Sequence, residues 1–138
     1  MLLVVLDTNV IVSALIIDSG NPSKMFDLVI NNQIRLAYDN RIIGEYEEVL
    51  SRQELHISQS KASAVIRYIE LTGHYVDAES VSADGFTDQN DMPFVEVFIT
   101  SKSLALVTGN FRHFKPLIDK GLLVMTPAEF VSKYFPNQ

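Results

Sequence analysis

Five consecutive apolar residues, Leu2-Leu3-Val4-Val5-Leu6, stop abruptly at Asp7-Thr8-Asn9. Successive side chains of a strand point to opposite faces, so an unbroken apolar run calls for a strand covered on both sides. Leu104-Ala105-Leu106-Val107 repeats the pattern and stops at Thr108-Gly109-Asn110. Two such strands imply the middle of a parallel sheet, and each delivers side-chain oxygens at its carboxyl end. In open α/β sheets, ligands bind at that edge.

The remaining pattern alternates strands with helices, which favours a parallel sheet with helices on both faces. Val10 to Ile17 is too β-branched for a long helix, although Ser13-Ala14-Leu15 permits a short one. Asn21 or Ser23 is expected to cap a helix with Pro22 near its first position and Met25, Phe26, Val29 and Ile30 on one face. Ile34 to Tyr38 reads as a strand, and Asp39-Asn40 caps a helix reaching about Ser51. A further helix spans about Ser58 to Leu71, stopped by Gly73 before a short strand at His74-Tyr75-Val76. Ser80 to Thr87 reads as loop, Asn90 to Ser101 as helix, and Phe111 to Ile118 as irregular or a single turn. Leu122 to Met125 is the last expected strand, followed by a helix capped by Thr126 with Pro127 at its first position.

At 138 residues the chain is expected to form one domain spanning residues 1–138. Its 47% hydrophobic content supports a sizeable core and argues against disorder. With no cysteine, disulfides, thiolate catalysis and the usual structural zinc sites are excluded. No apolar stretch is long enough to span a bilayer, and the first strand lacks the basic flank of a signal peptide, so a cytoplasmic protein without membrane attachment is expected. The formal charge of −6 argues against binding nucleic acid by bulk electrostatics. It does not exclude a nuclease whose carboxylates hold divalent cations, because the ions reverse the local field.

Asp91 is the most telling acid. Phe94, Val95 and Phe98 follow it at helical spacing, so a carboxylate continues an apolar face, and Pro93 requires the helix to begin close to Asn90. Asp88 falls on or just before the same side. Each also has a structural reading as a cap or first-turn acid. In the helix with stripe Ile42, Tyr46, Val49 and Leu50, Glu45 and Glu47 both border the stripe while Glu48 points away; periodicity does not choose between the first two. Asp7 follows a buried strand directly and either binds a ligand or caps the next helix. Asn9, Thr108, Asn110 and Arg112 are candidates for contacts to metal-bound water or substrate, against an ordinary turn reading around Gly109. His113 reads as a surface or packing histidine, since no second His or Cys stands at metal-ligand spacing. Taken together, hard oxygen donors point to magnesium or manganese and to phosphodiester hydrolysis.

In order, Asp7-Thr8-Asn9-Val10, Glu45-Tyr46-Glu47-Glu48-Val49-Leu50, Asp88-Gln89-Asn90-Asp91 with Phe94, Leu106-Val107-Thr108-Gly109-Asn110 and Thr126-Pro127-Ala128-Glu129-Phe130 resemble the PIN-domain ribonucleases, over nearly the whole chain. The branch they resemble most comprises toxins of bacterial and archaeal toxin–antitoxin pairs. The resemblance implies a three-layer α/β/α PIN-like fold with a central, mainly parallel sheet. It implies Mg2+ or Mn2+ as cofactor, an RNA substrate, an antitoxin partner, and a homodimer or higher homo-oligomer. It selects Glu45 over Glu47, makes Asp7, Glu45 and Asp91 catalytic, and makes Asp7, Glu45, Asp88 and Asp91 the metal ligands. The family usually has a fourth acid after the late Thr-Gly, where this chain has Asn110.

That departure keeps a second reading in play, a catalytically weak PIN-like module that binds RNA or protein without cutting. A phosphoacceptor receiver domain fits poorly, since Asp7 has no adjacent acid and Met125-Thr126-Pro127 carries no Lys. A phosphatase using Asp-x-Asp is disfavoured by Asn9 at its second acidic position.

Overall fold

A computed structural model describes residues 1–137. Five parallel strands, β1 (Leu2–Leu6), β2 (Ile34–Tyr38), β3 (His74–Tyr75), β4 (Ala105–Val107) and β5 (Val124–Met125), form one sheet in the order β3-β2-β1-β4-β5. The helices are α1 (Thr8–Ile16), α2 (Asn21–Ile30), α3 (Asn40–Leu50), α4 (Gln59–Thr72), α5 (Met92–Ser101), α6 (Lys115–Asp119) and α7 (Pro127–Tyr134). The result is a three-layer α/β/α fold around a parallel sheet. Val4, Val5 and Leu6 of β1 and all three residues of β4 are fully buried although they alternate in direction, so both faces of the sheet centre are covered.

From β1 the chain proceeds through α1 and α2 to β2 on one side, whereas from β4 it proceeds through α6 to β5 on the other. Connections leaving adjacent strands in opposite directions open a crevice at their carboxyl ends, the switch point of a doubly wound sheet. Asp7 and Thr108 stand at its two lips.

Some local expectations are revised. The segment after β1 forms a nine-residue helix over Thr8–Ile16 rather than only the short one that Ser13-Ala14-Leu15 permits. Asp7 caps it, and burial of Val10 and Ile11 outweighs their modest helix propensity. Neither Asn21 nor Ser23 is the cap of α2. Gly20 holds that position at φ 103°, with no side-chain cap, and Asn21 is already helical. Phe111–Phe114 is a 3-10 turn that leads directly into α6. Asp39 and Thr126 cap α3 and α7 as expected, the latter in a reciprocal capping box with Glu129.

A polar tie positions the loop that carries Asp88. Arg41 bonds Asp39 at 2.9 Å and buried Glu96 of α5 at 2.7 Å, and the other Glu96 oxygen accepts the Val81 backbone N–H at 3.1 Å. Among the described residues, no buried side-chain polar atom lacks a hydrogen-bond partner, and no helix is long and apolar enough to cross a membrane.

Gly73 ends α4 where the chain turns into β3. A Cβ there would lie 2.6 Å from the Ile69 carbonyl oxygen and 2.7 Å from that of Leu36, and neither backbone atom can yield cheaply. Gly73→Ala is expected to cost about 1–3 kcal/mol in denaturant unfolding, as overpacking does. Gly44→Ala, at an exposed position of α3 with nothing within 4 Å of the added methyl, is expected to be neutral or to stabilise by up to about 1 kcal/mol. Equal effects at the two glycines would contradict this account of the α4–β3 turn.

Candidate functional site

Asp7 continues the β1–β4 ladder, its backbone N–H donating to the Val107 carbonyl at 2.9 Å. It also caps α1, with Oδ1 accepting the Thr8 N–H at 2.9 Å. Its Oδ2 accepts the hydroxyl of fully buried Thr108 at 2.7 Å and the Asn9 side-chain amide at 3.3 Å. Thr108 in turn accepts the Asn110 backbone N–H at 2.9 Å, and the Asn9 carbonyl accepts that of Gly109 at 3.2 Å. The two strand ends are therefore laced together by Thr108 and Asn9, and the Asp7 carboxylate is locked in one orientation. The capping reading of Asp7 is realised, and the residue also lines the cleft.

Glu45 reaches the same place from α3. It is half-buried, and the Thr8 hydroxyl donates to its Oε2. Glu47, the other acid bordering the stripe, is exposed and lines a different groove, so the packing of α3 separates two positions that periodicity left equivalent. Asp91 ends a 3-10 turn at the entry to α5 and is buried, while Asp88 caps that turn by accepting the Asn90 N–H at 2.9 Å. Pro93 occupies the first turn of α5, as its missing N–H requires.

Asp7, Asn9, Glu45, Asp88, Asp91 and Asn110 all line one cleft of about 470 Å³ at the switch point. A larger groove, about 700 Å³ along α3 and α4, contains none of them. These acidic and amide donors converge only in the smaller of the two. Arg112 is exposed and does not line it. A 3-10 helix turns once every three residues, so one turn after Asn110 the residue facing back is His113.

His113 is where the sequence reading is corrected. Its Nδ1 lies 2.9 Å from Asp91 Oδ2, and donor atoms of Asp88, Asp91 and His113 all lie within 4.8 Å of one another. Spacing rules could not find it, because its partners lie more than twenty positions earlier and meet it only through the β4 crossover. Thr8, Ser13 and Arg52 are further cleft residues not anticipated; Arg52 is held by Glu48 at 2.9 Å.

Electrostatics sets this cluster apart from ordinary capping acids. Burial pushes the Asp7 carboxyl above its ordinary range, although hydrogen bonds from Thr108 and Thr8 oppose the shift. Burial also raises Glu45; the Thr8 bond opposes this, while Asp7 and Asp88 add to it. Asp91 is pushed up to about 6, first by burial and then by Asp7 and Asp88, against the pull of His113. The fold thus gathers carboxylates that remain mutually repulsive. This donor set, oxygen-rich and short of positive charge, fits a hard divalent cation.

A doubly wound sheet with an acid-lined cleft at its switch point defines the structural class. A family model for the PIN domain matches residues 3–112, and the chain belongs to that family. Among solved structures, the fold is similar to a chain in the crystal structure of VapBC2 from Rickettsia felis bound to a DNA fragment from their promoter. The TM-score is 0.59 at 17% identity, covering 89% of this chain and 97% of that one. No curated protein sequence matches significantly.

The raised carboxyls carry a pH prediction. A group whose native pKa exceeds its unfolded value binds more protons in the native state, so stability falls as pH rises between the two values. With a chelator present, the unfolding free energy should therefore decrease as pH rises from about 4 through about 6, the window set by Asp91. Asp91→Asn should flatten this slope in urea titrations across that range. A stability that climbed with pH there would contradict the repulsive cluster.

Proposed function

We propose that this protein is a divalent-metal-dependent endoribonuclease that hydrolyses RNA phosphodiester bonds. The observation that carries the reading is the convergence of Asp7, Glu45, Asp88 and Asp91 on one cleft with three of the four carboxyls raised. Membership of the PIN domain family supports it.

In this reading Asp7, Glu45 and Asp91 are the catalytic acids and, with Asp88, the ligands of Mg2+ or Mn2+. Bound there, the ion supplies activation of water and stabilisation of charge on the phosphodiester oxygens. The chain's own task is orientation. Thr108, Asn9 and the Thr8 N–H fix Asp7, the Thr8 hydroxyl fixes Glu45, and His113 holds Asp91. Asn9 and Asn110 line the cleft, where substrate oxygens or bound water would be met, whereas Thr108, expected to share that role, is fully buried and acts only through Asp7 and Asn110. Arg112, exposed outside the cleft, would contact RNA only beyond it.

We further propose a toxin of a toxin–antitoxin pair acting in the cytoplasm as a homodimer or higher homo-oligomer, with an antitoxin partner. The motif resemblance and the likeness in fold to a chain of VapBC2 support this assignment. Neutral Asn110 favours a second reading, a module that binds RNA and cuts it weakly or not at all.

Two measurements decide between them. Manganese at ~100 times its dissociation constant should stabilise the protein by about 2.7 kcal/mol through preferential binding to the native state. Single-stranded RNA should be cleaved with manganese and left intact with chelator. Asp7→Asn and Asp91→Asn should each reduce cleavage by more than the roughly 10–100-fold that loss of an outer-shell partner costs. Metal-specific stabilisation without cleavage would leave the binding module standing. Absence of both would remove the metal-site reading.

A further inference from the structure

We infer that His113 is a nitrogen ligand of the metal site and biases this chain toward manganese over magnesium. The inference rests on the proposed metal site and concerns the half of the cleft where Asn110 brings no charge.

Three observations lead there. First, Asn110 ends β4 at the lip of the cleft, and the 3-10 turn that starts beside it returns the chain after one turn, with the His113 N–H donating to the Asn110 carbonyl at 3.3 Å. The segment that lacks an acid at position 110 thus offers an imidazole three residues later, and both residues line the cleft. Second, His113 Nδ1 and Asp91 Oδ2 are 2.9 Å apart. Neighbouring donors on an octahedral ion with bonds of about 2.1 Å lie about 3 Å apart, so the pair has the spacing of one coordination edge. A cation held by both atoms would replace the hydrogen bond between them. Third, Asp88 supplies a further oxygen within 4.8 Å of both, completing a three-donor set.

The placement of His113 is held from beneath. Phe114 beside it is fully buried, and α6 follows without a break, so the ring is carried on an anchored turn. The ring is partly exposed, which makes it replaceable without emptying the core. Imidazole suits borderline transition ions, whereas magnesium prefers carboxylate, carbonyl and water. Exchanging a fourth acid for an amide and a nearby imidazole therefore lowers the negative charge on the ion and changes its preference.

The test uses the full chain and the metals alone. Manganese and magnesium affinities are measured by calorimetry for the wild type, His113→Gln and His113→Ala, and the manganese-loaded wild type is studied by pulsed EPR for coupling to a directly bound nitrogen. Glutamine retains a side-chain donor for Asp91 but removes the imidazole. The expected result is a nitrogen coupling in the wild type that is lost in His113→Gln, with manganese affinity falling about tenfold or more and magnesium affinity changing much less. Thermal melts with chelator show whether either variant is folded, and the wild-type spectrum needs no variant. A bound manganese without nitrogen coupling overturns the inference while leaving the metal site intact; so do equal losses for both metals, which would make His113 only a positioning partner of Asp91. A wild type that binds neither metal overturns the proposed site itself.

Discussion

A carboxylate held at the end of a fully buried strand is the constraint around which this molecule is arranged. Asp7 cannot retreat from the sheet, since its backbone N–H continues the ladder to Val107 while its side chain accepts bonds from Thr8, Asn9 and Thr108. A charged group so placed is costly unless it is well bonded. Thr108 meets that need from β4 and Asn9 from the start of α1, so the bonds that make Asp7 tolerable also join the two lips of the switch point. Structural integrity and site geometry are here the same set of hydrogen bonds.

The other acids arrive from different elements and are restrained separately. Glu45 depends on Thr8 and on the burial of Ile42, Tyr46 and Leu50, which sets the rotation of α3. Tyr46 contributes a second link, its hydroxyl donating to the Leu6 carbonyl at 2.5 Å and so pinning α3 to the end of β1. Asp88 and Asp91 depend on the short 3-10 turn before α5 and on the loop tied to Glu96 and Arg41. These restraints satisfy hydrogen bonds but supply little positive charge. Burial pushes the carboxyls of Asp7, Glu45 and Asp91 upward, and neighbouring acids add to the shift at Glu45 and Asp91. That uncompensated gathering of carboxylates is what the proposed cation site rests on. The sheet order explains why they meet here and nowhere else, because only between β1 and β4 do the connections diverge.

Much of this was legible in one dimension. The apolar runs at residues 2–6 and 104–107, their abrupt ends at Asp7 and Thr108, the Pro93 limit on the start of α5 and the Thr126 cap all act through local rules of pairing, capping and proline geometry. Those rules place strands and helix starts, and with them the acids at the sheet edge. They failed for α1, whose β-branched residues are helical because Val10 and Ile11 are buried, and for α2, whose cap is Gly20. In both cases packing or backbone freedom outweighed side-chain preference.

By itself, the sequence determined a parallel sheet buried on both faces and acids at the carboxyl ends of its strands, because alternation, run length and capping are properties of neighbouring residues. Only the tertiary structure decided which acids share a cleft. It turned Glu45 inward and Glu47 outward, left Arg112 on the surface, and brought His113 to Asp91 across a separation of 22 positions. The reason is physical. Periodicity fixes which face of an element is apolar, whereas the meeting of side chains from α1, α3, α5 and the turn after β4 is set by the order of strands in the sheet and by how each helix rotates to bury its own stripe.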